Sequence, residues 1–154
     1  MEGFDELWPG GPRFRQNGAG FPLSTDSVLL ADFAAPFRAK RIMDLGCGAG
    51  VLTVLLCAGR PGARVEGIEI QPGAAALCRE NLAENGFDAS GIVTGDLREH
   101  CALFQAGGYD LVVSNPPYFA GGSGYTAPDG SRAAARDERC CTLEDVCHAA
   151  KYLC

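Results

Sequence analysis

The stretch Arg41-Ile42-Met43-Asp44-Leu45-Gly46-Cys47-Gly48-Ala49-Gly50-Val51-Leu52 constrains this chain more than any other. Ile42 to Leu45 is a short, mainly apolar run, as expected of a strand buried on both faces. Three glycines follow at alternate positions. Behind them Val51, Leu52, Val54, Leu55 and Leu56 have helical spacing. Strand, glycine turn and helix therefore follow one another without a gap. Glycine permits a tight turn at positive φ and keeps side chains out from between backbone and ligand. The helix that follows aims free N–H groups and partial positive charge at the turn.

A second apolar strand, Arg64-Val65-Glu66-Gly67-Ile68-Glu69-Ile70, comes next. Its Glu69 lies 25 positions after Asp44, near the spacing at which a dinucleotide fold places a ribose-binding carboxylate. The turn reads Gly-x-Gly-x-Gly, and Asp44 stands at its entrance as an anion that would repel a pyrophosphate. The expected ligand is a nucleoside without phosphates and with a cationic part.

The chain is 154 residues long, the size of one domain, with net charge −6. That balance argues against a protein that coats nucleic acid, though it allows a local basic patch. No apolar run is long enough to span a membrane. The acidic start, Met1 to Glu6, lacks the apolar core of a secretory signal. Of eight cysteines, Cys47, Cys57, Cys78 and Cys101 are scattered through helices and the glycine turn, and no Cys-x-x-Cys pair exists, which suggests reduced thiols in a cytoplasm. Cys140, Cys141, Cys147 and His148 lack metal-ligand spacing, so no metal is expected.

Taken in order, residues 1–23 read as a glycine- and proline-rich loop or short hairpin around Arg13-Phe14-Arg15, and residues 24–154 as one α/β domain. Ser24 or Thr25 caps a helix expected to run through Phe37, with Val28, Leu29, Leu30 and Phe33 apolar. Asp26 in its first turn serves either the helix dipole or the closing of a ligand pocket. Pro72 opens a helix that stops at Asn85-Gly86. Gly91 to Thr94 is a third strand, followed by Asp96-Leu97 and a short helix to Phe104. Tyr109 to Ser114 is a fourth strand, closed by Asn115-Pro116-Pro117-Tyr118 because proline cannot continue a central strand. Thr142-x-x-Asp145 opens a last helix, Leu143 to Leu153. Strands alternating with helices call for a parallel sheet covered on both faces. Ligands of such sheets bind beyond the carboxyl ends of the strands, where Asp44–Gly50, Glu69, Asp96 and Asn115–Tyr118 all fall.

Each cluster suits a role there. Glu69 can accept from both ribose hydroxyls while Ile70 packs on a flat base. Asp96 either accepts from the adenine amino group, with Leu97 giving backbone contact, or caps a helix. An amine attached to an aromatic ring is a poor nucleophile because its lone pair is delocalised. The Asn115 side-chain oxygen and the Pro116 carbonyl can each accept one of its N–H groups, which localises that pair. Proline also fixes the carbonyl direction. Tyr118 offers a ring for stacking a planar target.

The glycine motif Asp44 to Gly50, with Asn115-Pro116-Pro117-Tyr118, resembles the amino-methyltransferases that use S-adenosylmethionine. Phe21-Pro22-Leu23-Ser24-Thr25-Asp26-Ser27-Val28-Leu29-Leu30-Ala31, Gly67-Ile68-Glu69-Ile70-Gln71 and the segment Ala135-Arg136 to Asp145 narrow the likeness. Together they are similar to the bacterial family that methylates N6 of adenine 37 in a valine tRNA. The resemblance covers nearly the whole chain from about Phe14. It implies an α/β, Rossmann-like class I methyltransferase fold. It also implies S-adenosylmethionine held by Thr25, Asp26, Asp44, Gly46, Cys47, Gly48, Gly50, Glu69, Ile70, Asp96, Leu97 and Asn115. The catalytic corner would be Asn115, Pro116, Pro117 and Tyr118, receiving an adenine turned out of its stack, with Phe119 as added wall. Arg132, Arg136 and Arg139 would be either phosphate contacts or solvated loop charges.

The Asn-Pro-Pro-Tyr motif is shared with DNA adenine, DNA cytosine-N4, rRNA guanine-N2 and protein glutamine methyltransferases. Two other readings therefore stand beside the tRNA one. The first is a release-factor glutamine N5-methyltransferase, whose helical N-terminal domain finds no room here. The second is a non-catalytic module that binds the cofactor. Family members continue past the last helix with further strands beside the fourth. Without them the fold is incomplete and Leu111-Val112-Val113 would be an open sheet edge, so a chain stopping at Cys154 is expected to be a fragment, a truncated gene product, or part of a homodimer that covers that edge.

Overall fold

The computed structural model describes residues 3–16, 25–116 and 141–154. Its elements are β1 (Asp5–Glu6), β2 (Arg13–Phe14), α1 (Thr25–Ala34), β3 (Arg41–Leu45), α2 (Val51–Gly59), β4 (Arg64–Glu69) and α3 (Pro72–Glu84). They continue with β5 (Ile92–Thr94), a 3-10 turn (Leu97–Glu99) leading into α4 (His100–Leu103), β6 (Leu111–Val113) and α5 (Leu143–Leu153). β3 to β6 form a parallel sheet in the order β5-β4-β3-β6. The expected α/β architecture is present, with all four carboxyl ends on one edge.

Side-chain alternation divides the helices between the faces. Ile42 and Val65 point to the face covered by α1 and α2, where they pack with Ala34, Leu52, Leu56 and Val113. Met43, Leu45 and Ile68 point the other way and pack with Tyr109 and with Ala149 and Leu153 of α5. A third cluster sits between α2, α3 and the start of the chain, joining Phe14, Cys47, Val54, Ala75, Cys78, Leu82 and Ile92. The N-terminal segment is thus a short antiparallel hairpin whose Phe14 enters the core of the α/β body.

The amino-terminal edge of the sheet is bolted by charge. Glu66, buried within β4, takes Arg41 at 2.9 Å and Arg64 at 3.2 Å. The Arg41 guanidinium also lies over the Tyr109 ring, 4.7 Å from its centroid. The Asp110 carboxylate accepts from the backbone N–H groups of Lys40 and Arg41, tying β6 to β3. These two N–H bonds hold the Asp110 carboxyl below the usual carboxylate range.

Two local expectations change. α1 ends at Ala34 rather than Phe37, because Pro36 disfavours helical backbone at Ala35. Its core face is Ser27, Leu30, Ala31 and Ala34, while Val28, Leu29 and Phe33 are exposed. The last helix runs as expected from Leu143 to Leu153. Thr142 and Asp145 form a reciprocal capping box at its start.

Glycine positions differ sharply in what they tolerate. Gly50 sits at φ 88, and a Cβ there would collide with the Cys78 sulfur. Gly73, in the first turn of α3, has nothing within 4 Å of an added Cβ. Gly50→Ala should lower stability by at least about 1–2 kcal/mol from backbone strain alone. Gly73→Ala should raise it by about 0.5–1 kcal/mol. Urea-unfolding midpoints of the two variants should move in opposite directions.

Candidate functional site

Leu45 delivers the chain from β3 into a turn whose three glycines are all left-handed, with φ 74 at Gly46, 56 at Gly48 and 88 at Gly50. A turn without side chains is held by what its backbone bonds to. The N–H groups of Gly46 and Cys47 donate to the Ile68 carbonyl at 2.9 and 3.1 Å, and Gly50 N–H donates to the Cys47 carbonyl at 2.8 Å. Gly48 N–H donates to Glu69 Oε2 at 2.9 Å. A Cβ on Gly46 or Gly48 would meet no atom within 4 Å, so open space lies where those side chains would be.

Glu69 closes β4 and is buried. Its Oε1 accepts from Gln71 N–H at 2.8 Å, so each carboxylate oxygen holds one backbone donor. A carboxylate oxygen has two lone pairs, which leaves room for one hydroxyl of a cis-diol on each. Ile70 beside it is 47% exposed, an apolar surface at the strand end suited to a flat base.

Asp44 is 1% exposed, at the second-to-last residue of β3. Thr53 Oγ1 of α2 donates to its Oδ2 at 2.7 Å. Burial pushes the Asp44 carboxyl up to about 7; the Thr53 bond opposes that shift and the negative charge of Glu69 adds to it. The sequence reads Asp44 as a plain anion. In the fold it is a carboxyl poised between protonated and ionised near neutral pH, and a neighbouring cation would favour the ionised form.

β6 pairs with β3 in a register that sets Asp44 opposite Val113, so Asn115 lies just beyond the same edge. Ser114 Oγ donates to the Leu45 carbonyl at 2.8 Å. Asn115 Nδ2 donates to Ser27 Oγ of α1 at 3.0 Å. The chain leaves β3 for β4 and β5 on one side and returns to β6 on the other, which makes the β3/β6 boundary the topological switch point. The sheet therefore brings Asp44, the glycine turn, Glu69 and Asn115 to one edge, at that switch point. Thr25 and Asp26 lie exposed at the start of α1, the helix whose Ser27 contacts Asn115.

Asp96 follows β5 on the far side of β4. Its Oδ1 accepts from Arg98 N–H at 2.9 Å, and the Arg98 guanidinium forks its carboxylate. This pairing holds Asp96 below the usual carboxylate range. The geometry supports the capping role that sequence left open, while Leu97 packs partly into the core beside α5. Pro116 is described; Pro117, Tyr118, Phe119, Arg132, Arg136 and Arg139 lie outside the described residues.

Three contributors escape sequence reading. Thr53 sits on the buried side of an apolar helix, Ser27 follows two other capping candidates, and Asn81 is fully buried within α3. Their only signal is a polar residue at a helical core position, which periodicity scores as a mismatch. The residues present suit a nucleoside bearing a cation: a bare glycine turn, a carboxylate with acceptor capacity, an exposed isoleucine and a buried acid.

Comparison with known proteins identifies the family. The family model for the methyltransferase small domain matches residues 24–128. The tRNA1(Val) (adenine(37)-N6)-methyltransferase of Porphyromonas gingivalis is 38% identical over 146 residues, covering 90% of this chain and 56% of that protein. The protein of the same name from Shewanella halifaxensis is 36% identical over 135 residues, covering 87% and 54%. The chain thus spans about half the length of the curated relatives it matches. Among solved structures, a precorrin 8W decarboxylase from Methanobacterium thermoautotrophicum superposes with a TM-score of 0.59 at 22% identity, over 92% of this chain and 64% of that one, a likeness of fold. The parallel sheet, the glycine turn at its switch point and the span of the match agree: the chain belongs to the methyltransferase small domain family.

Proposed function

We propose that this chain carries the cofactor-binding part of an S-adenosylmethionine-dependent methyltransferase that modifies N6 of an adenine in tRNA, adenine 37 of a valine tRNA being the favoured target. The single observation that carries the reading is the convergence of Asp44, Glu69 and Asn115 at the carboxyl ends of three adjacent parallel strands. The names of the curated relatives support the choice of tRNA and of position.

S-adenosylmethionine, when bound, supplies a methyl carbon activated by a sulfonium. The residues of this chain do the rest. Gly46, Cys47, Gly48 and Gly50 present backbone without bulk. Glu69 accepts the ribose hydroxyls, Ile70 lies against the base, and Asp44 offers negative charge to the cationic part. Asn115 Oδ1 and the Pro116 carbonyl take the two N–H groups of the target amine and turn its lone pair outward. Ser27 engages the amide nitrogen of Asn115, which orients the amide oxygen as the acceptor. Catalysis in this arrangement is alignment, not base strength. Pro117 and Tyr118 complete the corner, and Arg132, Arg136 and Arg139 contact phosphates. Thr25, Asp26, Asp96 and Leu97 border the cofactor. A tRNA substrate implies a cytoplasmic protein. Among the described residues no helix is long and apolar enough to cross a membrane. β6 is an edge strand among the described residues, and a second copy could pair there.

Transfer of labelled methyl to bulk tRNA tests the reading. Asn115→Ala should cut the rate by about a hundredfold or more through lost alignment. Ser27→Ala should cut it by about tenfold, the worth of one buried hydrogen bond. Ser27→Ala, whose side chain is not among the proposed cofactor contacts, should bind cofactor as the parent does. Label entering a release factor and not tRNA would replace this reading with glutamine methylation.

Asp44 gives a second test, with two opposite signs. In the free protein its raised pKa contributes stability below 3.8 that is lost as pH rises to about 7, because the unfolded chain gives up the proton first. Asp44→Asn should remove that loss, so its melting temperature gains on the parent from pH 4 to pH 7. Cofactor affinity runs the other way. Binding a cation favours the ionised carboxyl, so calorimetry should find the parent binding S-adenosylmethionine more tightly at pH 8 than at pH 6, with a proton released. Asp44→Asn should bind weakly at both.

A further inference from the structure

Asn81 lies in the middle of α3, on the helix face turned toward the glycine turn, and its side chain is fully buried. Its Nδ2 donates to the Ala49 carbonyl at 2.9 Å and to the Arg15 carbonyl at 3.2 Å. Its Oδ1 accepts from Arg15 N–H at 2.9 Å. One buried amide therefore joins the backbone of the N-terminal hairpin to the backbone of the glycine turn. We infer that Asn81 is a positioning residue for the cofactor turn, and that through it the hairpin and the cofactor site are energetically coupled. The inference rests on the proposed cofactor reading of that turn.

The turn needs such a pin. Gly48 and Gly50 flank Ala49, and glycine fixes its own backbone least of any residue. Glu69 holds the turn by the Gly48 N–H on one side, and Asn81 holds it by the Ala49 carbonyl on the other. The hairpin reaches the turn by a second route, since Phe14 packs in the same cluster as Cys47. One turn of helix further on, Asn85 makes the corresponding pair of bonds to Arg13, at 2.8 Å from Arg13 N–H and 2.7 Å to the Arg13 carbonyl. It also donates to the Asn81 carbonyl, but no bond from its side chain to the turn is seen. Arg13 and Arg15 add ion pairs to Glu84 and Glu80 on the outside of α3. Two asparagines thus give a strand-like docking of the hairpin onto a helix, and one of them continues into the cofactor turn.

Coupling of this kind is reciprocal. A ligand that orders the turn must tighten the hairpin, and loss of the hairpin's hold must weaken the ligand. The test is amide hydrogen exchange on the full chain with and without S-adenosylhomocysteine, with calorimetry on the same samples. In the parent, the ligand should slow exchange at residues 13–16, which do not belong to the proposed cofactor site. Asn81→Ala should sharply reduce that slowing, leaving only what the Phe14 and Cys47 packing transmits, and weaken the ligand about tenfold. Asn85→Ala should speed exchange in the hairpin yet keep the ligand-induced slowing. Heat of binding with no change at residues 13–16 in the parent overturns the coupling and leaves the cofactor reading standing. Ligand-induced slowing that is undiminished in Asn81→Ala overturns the role of Asn81. No heat at all overturns the cofactor reading, and this inference with it. The parent comparison needs no variant, so the coupling stays open to refutation even if Asn81→Ala fails to fold.

Discussion

Parallel pairing is the constraint on which everything else rests. It forces each of four strands to end on the same edge, and it does so by backbone hydrogen bonding without regard to the side chains carried there. Asp44, Glu69 and Asn115 are far apart in the chain and become neighbours only because β3, β4 and β6 run alongside one another. The strand order adds a second consequence. By sending the chain to opposite sides of β3, it makes the end of that strand the switch point, and the glycine turn lies there.

At the centre of the site is a burial problem. A carboxyl with 1% exposure in the middle of a sheet costs free energy when ionised, and Thr53 offsets only part of that cost. Glu69, close by, carries the same sign and is satisfied differently, by two backbone N–H groups. The two acids divide the work. Glu69 is a structural acceptor that also shapes the turn, while Asp44 is left under-compensated. In the proposed reading, a positively charged ligand would relieve the second without disturbing the first, and part of its affinity would come from that relief.

The main features of the fold were legible because they rest on short-range chemistry. Ile42 to Leu45 with the glycines behind it, Pro72 at a helix start and Thr142 with Asp145 each encode their local structure within a few residues. The residues gathered at the candidate site were legible where a polar residue ends an apolar strand, as at Glu69 and Asn115. What stayed hidden was long-range. Nothing near Asn81 reveals that its partners are Arg15 and Ala49, and nothing near Ser27 reveals Asn115. α1 misled for a related reason. Its large apolar residues Leu29 and Phe33 face outward, while the small residues Ser27, Ala31 and Ala34 face the sheet, so size and burial are decoupled there. Asp96 could be assigned two roles, and its contacts with Arg98, which show the capping one, are not written in the strand before it.

The Arg41–Glu66–Arg64 clamp and the Asp110 strap sit at the opposite end of the strands from the glycine turn. Rigidity and chemistry are thereby placed at different poles of one sheet. The foundation carries the architecture, and the rim is free to be rewritten. A change of target among proteins built on this plan would then need new residues only at the rim, with the footing left intact.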